Sequence, residues 1–262
     1  GDMQPITTTG PQTWKTIQVP KEGRELLLKP KGDGPVTLHS FVVGNDGPGI
    51  RYVSLGLPGA TADAPLLWDE QQLTVDLKRL SPDLVILAYG TEEALNDNLD
   101  IAKYETRVGA TLVRLKQILP TTSFLILGPP DIARRPSFAA KFGQMSDVCK
   151  ALGVKERLRY ATWMRQHDSR LAHWHPPLNL DTVRAVLRRA AVENQAFFWD
   201  WSKPMGGTCG IHAWVHSDPP LAAANHLYLN EEGSKQSAKM LFRELMTAFD
   251  AFERDNTAVS AK

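Results

Sequence analysis

The sequence predicts an α/β protein: a three-layer sandwich around a parallel sheet, with a small antiparallel β-unit at its N-terminus. Three observations carry that prediction. From Tyr52 onward, short apolar runs alternate with amphipathic stretches of helix length, the signature of strands and helices wrapped about a parallel sheet. Residues 13–53 read instead as short β-forming runs broken by Gly, Pro, Asp and Asn. The chain has 262 residues, 42% hydrophobic and 23% charged, which is enough to bury a core and excludes disorder, collagen and coiled coil. The pattern changes near residue 50, dividing the chain into a β-rich segment, 1–50, and an α/β domain, 51–262.

In the first segment Lys15–Val19 alternates, Glu25–Lys29 carries three consecutive leucines, and Thr37–Val43 is rich in β-formers. In the second, strands are expected at Tyr52–Leu55, Leu84–Tyr89, Ser123–Gly128 and Ala196–Trp199, each short, apolar and bounded by turn residues. Helices fit Gln71–Leu80, Lys103–Ile118, Val148–Gln166, Asp181–Asn194 and Glu232–Glu253. Asn230 is placed to cap the last, with Glu231 and Glu232 complementing the helix dipole. Arg134–Pro177 is the least regular stretch, edged by Pro136, Pro176 and Pro177, and reads as an insertion or lid-like excursion. No internal repeat or low-complexity tract is visible.

Composition removes several function classes. Thirty Lys plus Arg against 29 Asp plus Glu leave a net charge of +1, so charge balance offers nothing to nucleic acid or an anionic surface. The longest apolar runs fall far short of the roughly 18 residues of a membrane helix. Cys149 and Cys209 are too few for a disulfide scaffold and lack zinc-site spacing; a single bridge between them is open if the compartment is oxidising. Gly1–Gly10 contains neither a basic nor an apolar leader region, so either there is no signal peptide or the chain begins after one.

Ligands of parallel α/β sheets collect at the carboxyl ends of the strands. Four segments stand there: Gly56-Leu57-Pro58-Gly59-Ala60-Thr61, Gly90-Thr91-Glu92-Glu93-Ala94, Gly128-Pro129-Pro130-Asp131, and Asn225-His226 through Gly233. Read singly, the first is ordinary turn geometry and His226 an ordinary packing or capping histidine.

In order, however, the four resemble the blocks of the SGNH (GDSL) hydrolase family, over about residues 50–250. Val53-Ser54-Leu55-Gly56-Leu57-Pro58-Gly59-Ala60 looks like the second block, whose glycine offers an N–H to the oxyanion. Pro82 through Ala94 looks like the third, where the family places an asparagine after Gly-Thr. Asn225-His226 through Gly233 is similar to the last, which carries the catalytic histidine. Phe198-Trp199-Asp200-Trp201-Ser202 to Met205-Gly206-Gly207 resembles the branch of bacterial peptidoglycan and polysaccharide O-acetylesterases, in which a carbohydrate-binding-type β-sandwich is inserted; residues 13–50 look like the tail of that insert. The resemblance implies a flavodoxin-like SGNH sheet, serine-esterase chemistry without cofactor or metal, an acylated polysaccharide or peptidoglycan as partner, and a periplasmic or secreted location. Oligomeric state is not set.

Such an esterase needs a serine, a histidine base, an aspartate orienting the imidazole, and oxyanion donors from serine N–H, glycine N–H and an asparagine. No Gly-Asp-Ser string occurs; the nearest, Gly44-Asn45-Asp46, lies too close to Gly59 for a crossover helix. The asparagine position reads Glu92, whose carboxylate opposes a developing oxyanion. The aspartate position reads Ala223. Gly59 and His226 remain of the catalytic set, with Thr61 as substitute hydroxyl and Asp218 as substitute carboxylate.

Three further clusters invite bland readings. His167, His173 and His175, with Asp168, fit no compact metal site and read as solvent-exposed loop histidines. Trp201 and Trp214 read first as core, with a sugar-stacking platform as the functional alternative. Arg184, Arg188 and Arg189 read as a solvated helix face. The function expected is an SGNH-like fold with a degenerate site, binding a glycan or protein partner; the alternative is an active carbohydrate O-acetylesterase whose serine is relocated or lies outside this chain.

Overall fold

A computed structural model describes residues 6, 15–18, 27–38, 41–44 and 47–260. The chain divides into two units, Gly1–Leu55 and Gly56–Lys262. In the first, the described residues form no strand, and apolar side chains such as Leu27, Phe41, Val43 and Ile50 are exposed. Val19, Glu25, Leu26, His39 and Ser40, parts of the expected strands, lie outside the described residues. Tyr52–Leu55 is described and is not a strand: it has no ladder partner among the described residues, and β-propensity without one leaves backbone groups to water.

The second unit is α/β with a parallel sheet. Its elements begin with a short helix α1 (Ala64–Leu67) and α2 (Glu70–Leu80), which Asp69 caps by accepting the Gln72 N–H at 2.8 Å. Strand β1 (Leu84–Ala88) leads to a one-turn helix α3 (Thr91–Leu95), then α4 (Ile101–Ile118) and β2 (Ser123–Gly128). After the excursion, which contains α5 (Val154–Gln166), come α6 (Leu180–Glu193), β3 (Phe197–Asp200), α7 (Gly210–Val215) and α8 (Glu231–Ser260). Asn230 accepts the Gly233 N–H at 2.9 Å, the expected cap.

The sheet order is β1-β2-β3, with Leu84 paired to Ser123 and Leu125 to Phe197, both pairings parallel. Successive right-handed crossovers stepping in one direction place their helices on one face. Accordingly α4 and α6 pack together over β2. Their i, i+4 apolar rows, Val108, Leu112 and Leu115 with Val183, Val186, Leu187 and Ala190, enclose Phe124 and Ile126. Val85 and Leu87 of β1 join this core, whereas the alternate residues Leu84 and Ile86 are 44% and 43% exposed on the opposite face. At the end of β1, Gly90 has φ +112°, and a Cβ there would lie 2.9 Å from Val183, so α6 approaches the strand end only over a glycine.

The irregular stretch is a closed excursion. Arg134 and His175 exchange backbone hydrogen bonds at 2.9 and 3.0 Å, joining its two ends, and its interior holds a core of Phe138, Ala139, Leu152, Tyr160, Trp163 and Leu171. Its helix starts at Val154, not Val148, because Val148 and Lys150 are held by backbone bonds to Trp174, and Cys149 is disulfide-bonded to Cys209.

Arg184 corrects the expected solvated face. It is buried, with Nε donating to the Pro129 carbonyl at 3.1 Å, one terminal nitrogen donating to the Pro130 carbonyl at 2.9 Å, and that nitrogen 3.7 Å from Asp131. The turn after β2 leaves carbonyls without sheet partners, and a guanidinium satisfies them. Arg188 and Arg189 do lie outside, paired to Asp200 and Glu105.

Candidate active site

His226 stands at the tip of a tight loop closed by a bridge between Ala222 and Leu229 and by the Ala223 N–H donating to Tyr228. Its φ is +58°, a conformation that costs a non-glycine residue about 1–2 kcal/mol. The surrounding bonds hold it there: its N–H donates to Ala223, and its carbonyl accepts from Ala133, five residues beyond the end of β2, both at 3.0 Å. His226 thus lies at the carboxyl side of the sheet and is buried.

Both ring nitrogens of His226 are engaged. Nδ1 lies 3.0 Å from the Ala224 carbonyl, which can only accept, so Nδ1 carries the proton and Nε2 the lone pair. Nε2 is 2.8 Å from Nδ1 of His212, which must then donate. His216, four residues on from His212, completes a cluster of three imidazoles. The Trp174 ring covers His226 with centroids 3.6 Å apart and planes 20° apart, and the Arg135 guanidinium lies 4.8 Å over the same indole. Burial, followed by the neighbouring His212 and His216, holds the His226 imidazole below its ordinary pKa, against the opposing pull of the Ala224 carbonyl. Burial and His216 do the same to His212.

The Gly59 turn is exposed, with φ +78°. Three residues on, the Ala62 N–H donates to Glu93 at 2.7 Å, which ties this segment to α3, the helix that carries Glu92 in its first turn. Glu92 is exposed; Glu93 is the buried one, its carboxyl pushed up by burial. Among the described residues, no hydrogen bond, ion pair or ring contact joins Gly59 or Glu92 to His226. The Thr61 hydroxyl donates to Asp63 at 2.5 Å, and Asp63 is paired with Arg107. Asp218 is exposed, lining a groove with Glu232, Lys235 and Lys239, while His226 Nδ1 takes the Ala224 carbonyl instead.

Trp214 is buried with Met205, Ile211 and Ala222, and Trp201 packs beside it, donating Nε1–H to Ser237 of α8 at 3.0 Å; these are core roles. The expected loop histidines divide. His167 is exposed, His173 is half-buried, and His175 is fully buried edge-on to Tyr160, its pKa pushed down to about 4 by burial.

Sequence reasoning missed Trp174, His212 and His216. The His212-x-x-x-His216 spacing was a readable signal, since residues four apart share a helix face. Nothing local marks Trp174, which reaches His226 only through the excursion.

No protein-family model and no curated protein matches the chain. Solved structures do. A peptidoglycan O-acetylesterase is 27% identical, the match covering 74% of this chain and 45% of that one at a TM-score of 0.55. A lipase/acylhydrolase from Enterococcus faecalis is 14% identical over 71% of each chain at 0.42, and an acetyl xylan esterase 14% identical over 72% of this chain and 78% of that one at 0.44. The parallel α/β fold is consistent with the SGNH (GDSL) hydrolase fold of that O-acetylesterase. The chain spans less than half the length of that O-acetylesterase.

Proposed function

We propose that this chain is an SGNH-type acylhydrolase scaffold with a degenerate catalytic site, binding an O-acetylated glycan such as peptidoglycan without hydrolysing it. Gly59, Glu92 and His226 are its site residues. The observation that carries this reading is the state of His226: Nδ1 is held by a backbone carbonyl where an ester-cleaving triad uses a carboxylate, and Nε2 meets an imidazole where it should meet a nucleophile hydroxyl. A carboxylate at Glu92 opposes oxyanion charge, and the Thr61 proton is already given to Asp63. Each such departure costs on the order of a hundredfold or more in rate. A location outside the cytoplasm is supported by the Cys149–Cys209 disulfide.

One observation favours a second reading, an active O-acetylesterase whose nucleophile comes from residues outside this chain. Among the described residues strand β1 is a sheet edge, and Leu84 and Ile86 are exposed on its uncovered face; an edge with free backbone groups accepts a further strand. Sedimentation with O-acetylated and de-acetylated peptidoglycan, together with acetate release from the former and from p-nitrophenyl acetate, separates the readings when applied both to this chain and to a longer protein that supplies the nucleophile. Retention preferring the O-acetylated polymer with no acetate release is expected. Release that disappears in both Thr61→Ala and His226→Ala would overturn the non-catalytic reading and assign a relocated nucleophile. Neither retention nor release would sink both.

A further inference from the structure

We propose that His212, His216 and His226 form a binding site for a divalent transition-metal ion of the zinc class. Each offers a ring nitrogen, and the three nitrogens lie within 4.8 Å of one another. Two separate elements supply them. His212 lies in α7 and His216 caps its C-terminal end, one turn apart on one face, while His226 enters from the loop before α8.

The hydrogen bonding already suits ligation. The Ala224 carbonyl fixes His226 as the Nδ1–H tautomer with the Nε2 lone pair facing the cluster, the same outer support that orients metal-bound histidines elsewhere. His212 donates from Nδ1 in the metal-free arrangement; moving that proton to Nε2 frees Nδ1 as a ligand without net deprotonation. Metal–nitrogen distances of about 2.0–2.1 Å at a tetrahedral angle need donors roughly 3.3 Å apart. His212 and His226, at 2.8 Å, must open by about half an ångström to meet that spacing, and the half-exposed His216 must turn inward. The Asp147 carboxylate, 3.8 Å from His216 Nε2 at the open side, adds the negative charge that favours a cation. Trp174 covers one face of the His226 ring. Three imidazoles leave a fourth position open, and nitrogen donors select zinc, nickel or copper over magnesium or calcium. A metal here occupies the lone pair of His226 that acyl transfer would use as a base, and its binding does not require that the chain act on an ester.

The test uses the full chain without a polyhistidine tag, stripped with chelator and titrated with zinc chloride by calorimetry and against a chromophoric chelator. Cobalt(II) serves as a second probe, for its visible ligand-field spectrum. One zinc per chain is expected, weakened on the order of tenfold or more in each of His212→Ala and His216→Ala, and unchanged in His167→Ala. Circular dichroism checks that the variants fold; His216 is half-exposed, so its loss spares the core. A cobalt spectrum of tetrahedral type, lost in His216→Ala, supports the site. Absence of zinc binding at millimolar metal, or binding indifferent to both His212→Ala and His216→Ala, overturns it.

Discussion

Trp174 lies flat on His226, with ring centroids 3.6 Å apart. The indole is fixed from its own backbone, whose N–H and carbonyl bond to Val148 and Lys150 at 2.9 Å. The excursion therefore controls how much water reaches the imidazole, and burial is the largest influence lowering its pKa.

Trp174→Ala should raise the pKa of His226 toward the ordinary histidine value and destabilise the fold by about 2 kcal/mol, less than a fully buried tryptophan because Trp174 is half-buried. Trp174→Phe should restore most of both. Imidazole proton shifts followed against pH by NMR give the first quantity and urea unfolding the second. A His226 titration identical in wild type and Trp174→Ala would show that the ring does not shield it.

The excursion is tethered a second time by the disulfide between Cys149 and Cys209, just ahead of α7 and its His212. The bridge closes a sequence separation of 60, and loop-closure entropy assigns that about 4 kcal/mol of stabilisation. Cys149→Ala/Cys209→Ala should lose a large part of it in chemical denaturation, and wild type unfolded in reductant should match the double variant. Equal stability of oxidised and reduced wild type would remove the bridge from the account of the fold.

The features legible in sequence are those set by local periodicity. Val108, Leu112 and Leu115 announce α4, and Val183, Val186 and Leu187 announce α6, because one face of each must be apolar whatever it meets. Loss of pattern in the sequence bounds the excursion at Arg134, and Arg134 is one of the residues that pair at its base. What could not be read is what depends on partners distant in sequence. Tyr52–Leu55 has strand composition, yet a strand exists only with a ladder. Arg184 sits in helical register with exposed arginines, and only the carbonyls of Pro129 and Pro130 explain its burial. His226 is found by motif, but its partners come from two other segments, His212 and His216 from α7 and its end and Trp174 from the excursion; the four-residue spacing of the two histidines hints that they act together, yet nothing local says that they meet His226.

Arg184 is the counter-charge for a buried carboxylate. Asp131 is fully buried; its Oδ2 accepts the Ile211 N–H at 3.1 Å, and burial pushes its pKa up to about 6 even though Arg184 lowers it. Arg184→Met should cost about 3–5 kcal/mol, since it strips the Pro129 and Pro130 carbonyls of donors and leaves Asp131 without its cation. Combining it with Asp131→Asn should cost less than the sum of the two single changes. A double-mutant cycle in urea with no coupling between them would show the pair to be energetically idle.

His175 makes the fold acid-sensitive. It is completely buried, its Nδ1–H donates to the Pro176 carbonyl at 3.1 Å, and its Nε2 has no hydrogen-bond partner among the described residues, so a second proton has nowhere to go. Its pKa falls from an ordinary 6.5 to about 4, with burial the largest cause. The folded value is depressed, so the unfolded chain binds a proton first as pH falls. Above about pH 6.5 the residue is neutral in both states and costs nothing. Between about 6.5 and about 4 stability declines, to a limit of about 3 kcal/mol once pH is below both values. His175→Gln, which cannot protonate, should flatten this part of the stability curve while losing some stability at neutral pH from imperfect packing against Tyr160. Urea midpoints measured from pH 4 to pH 8 decide the matter. If the wild-type and His175→Gln curves run parallel across that range, the acid sensitivity belongs to another group.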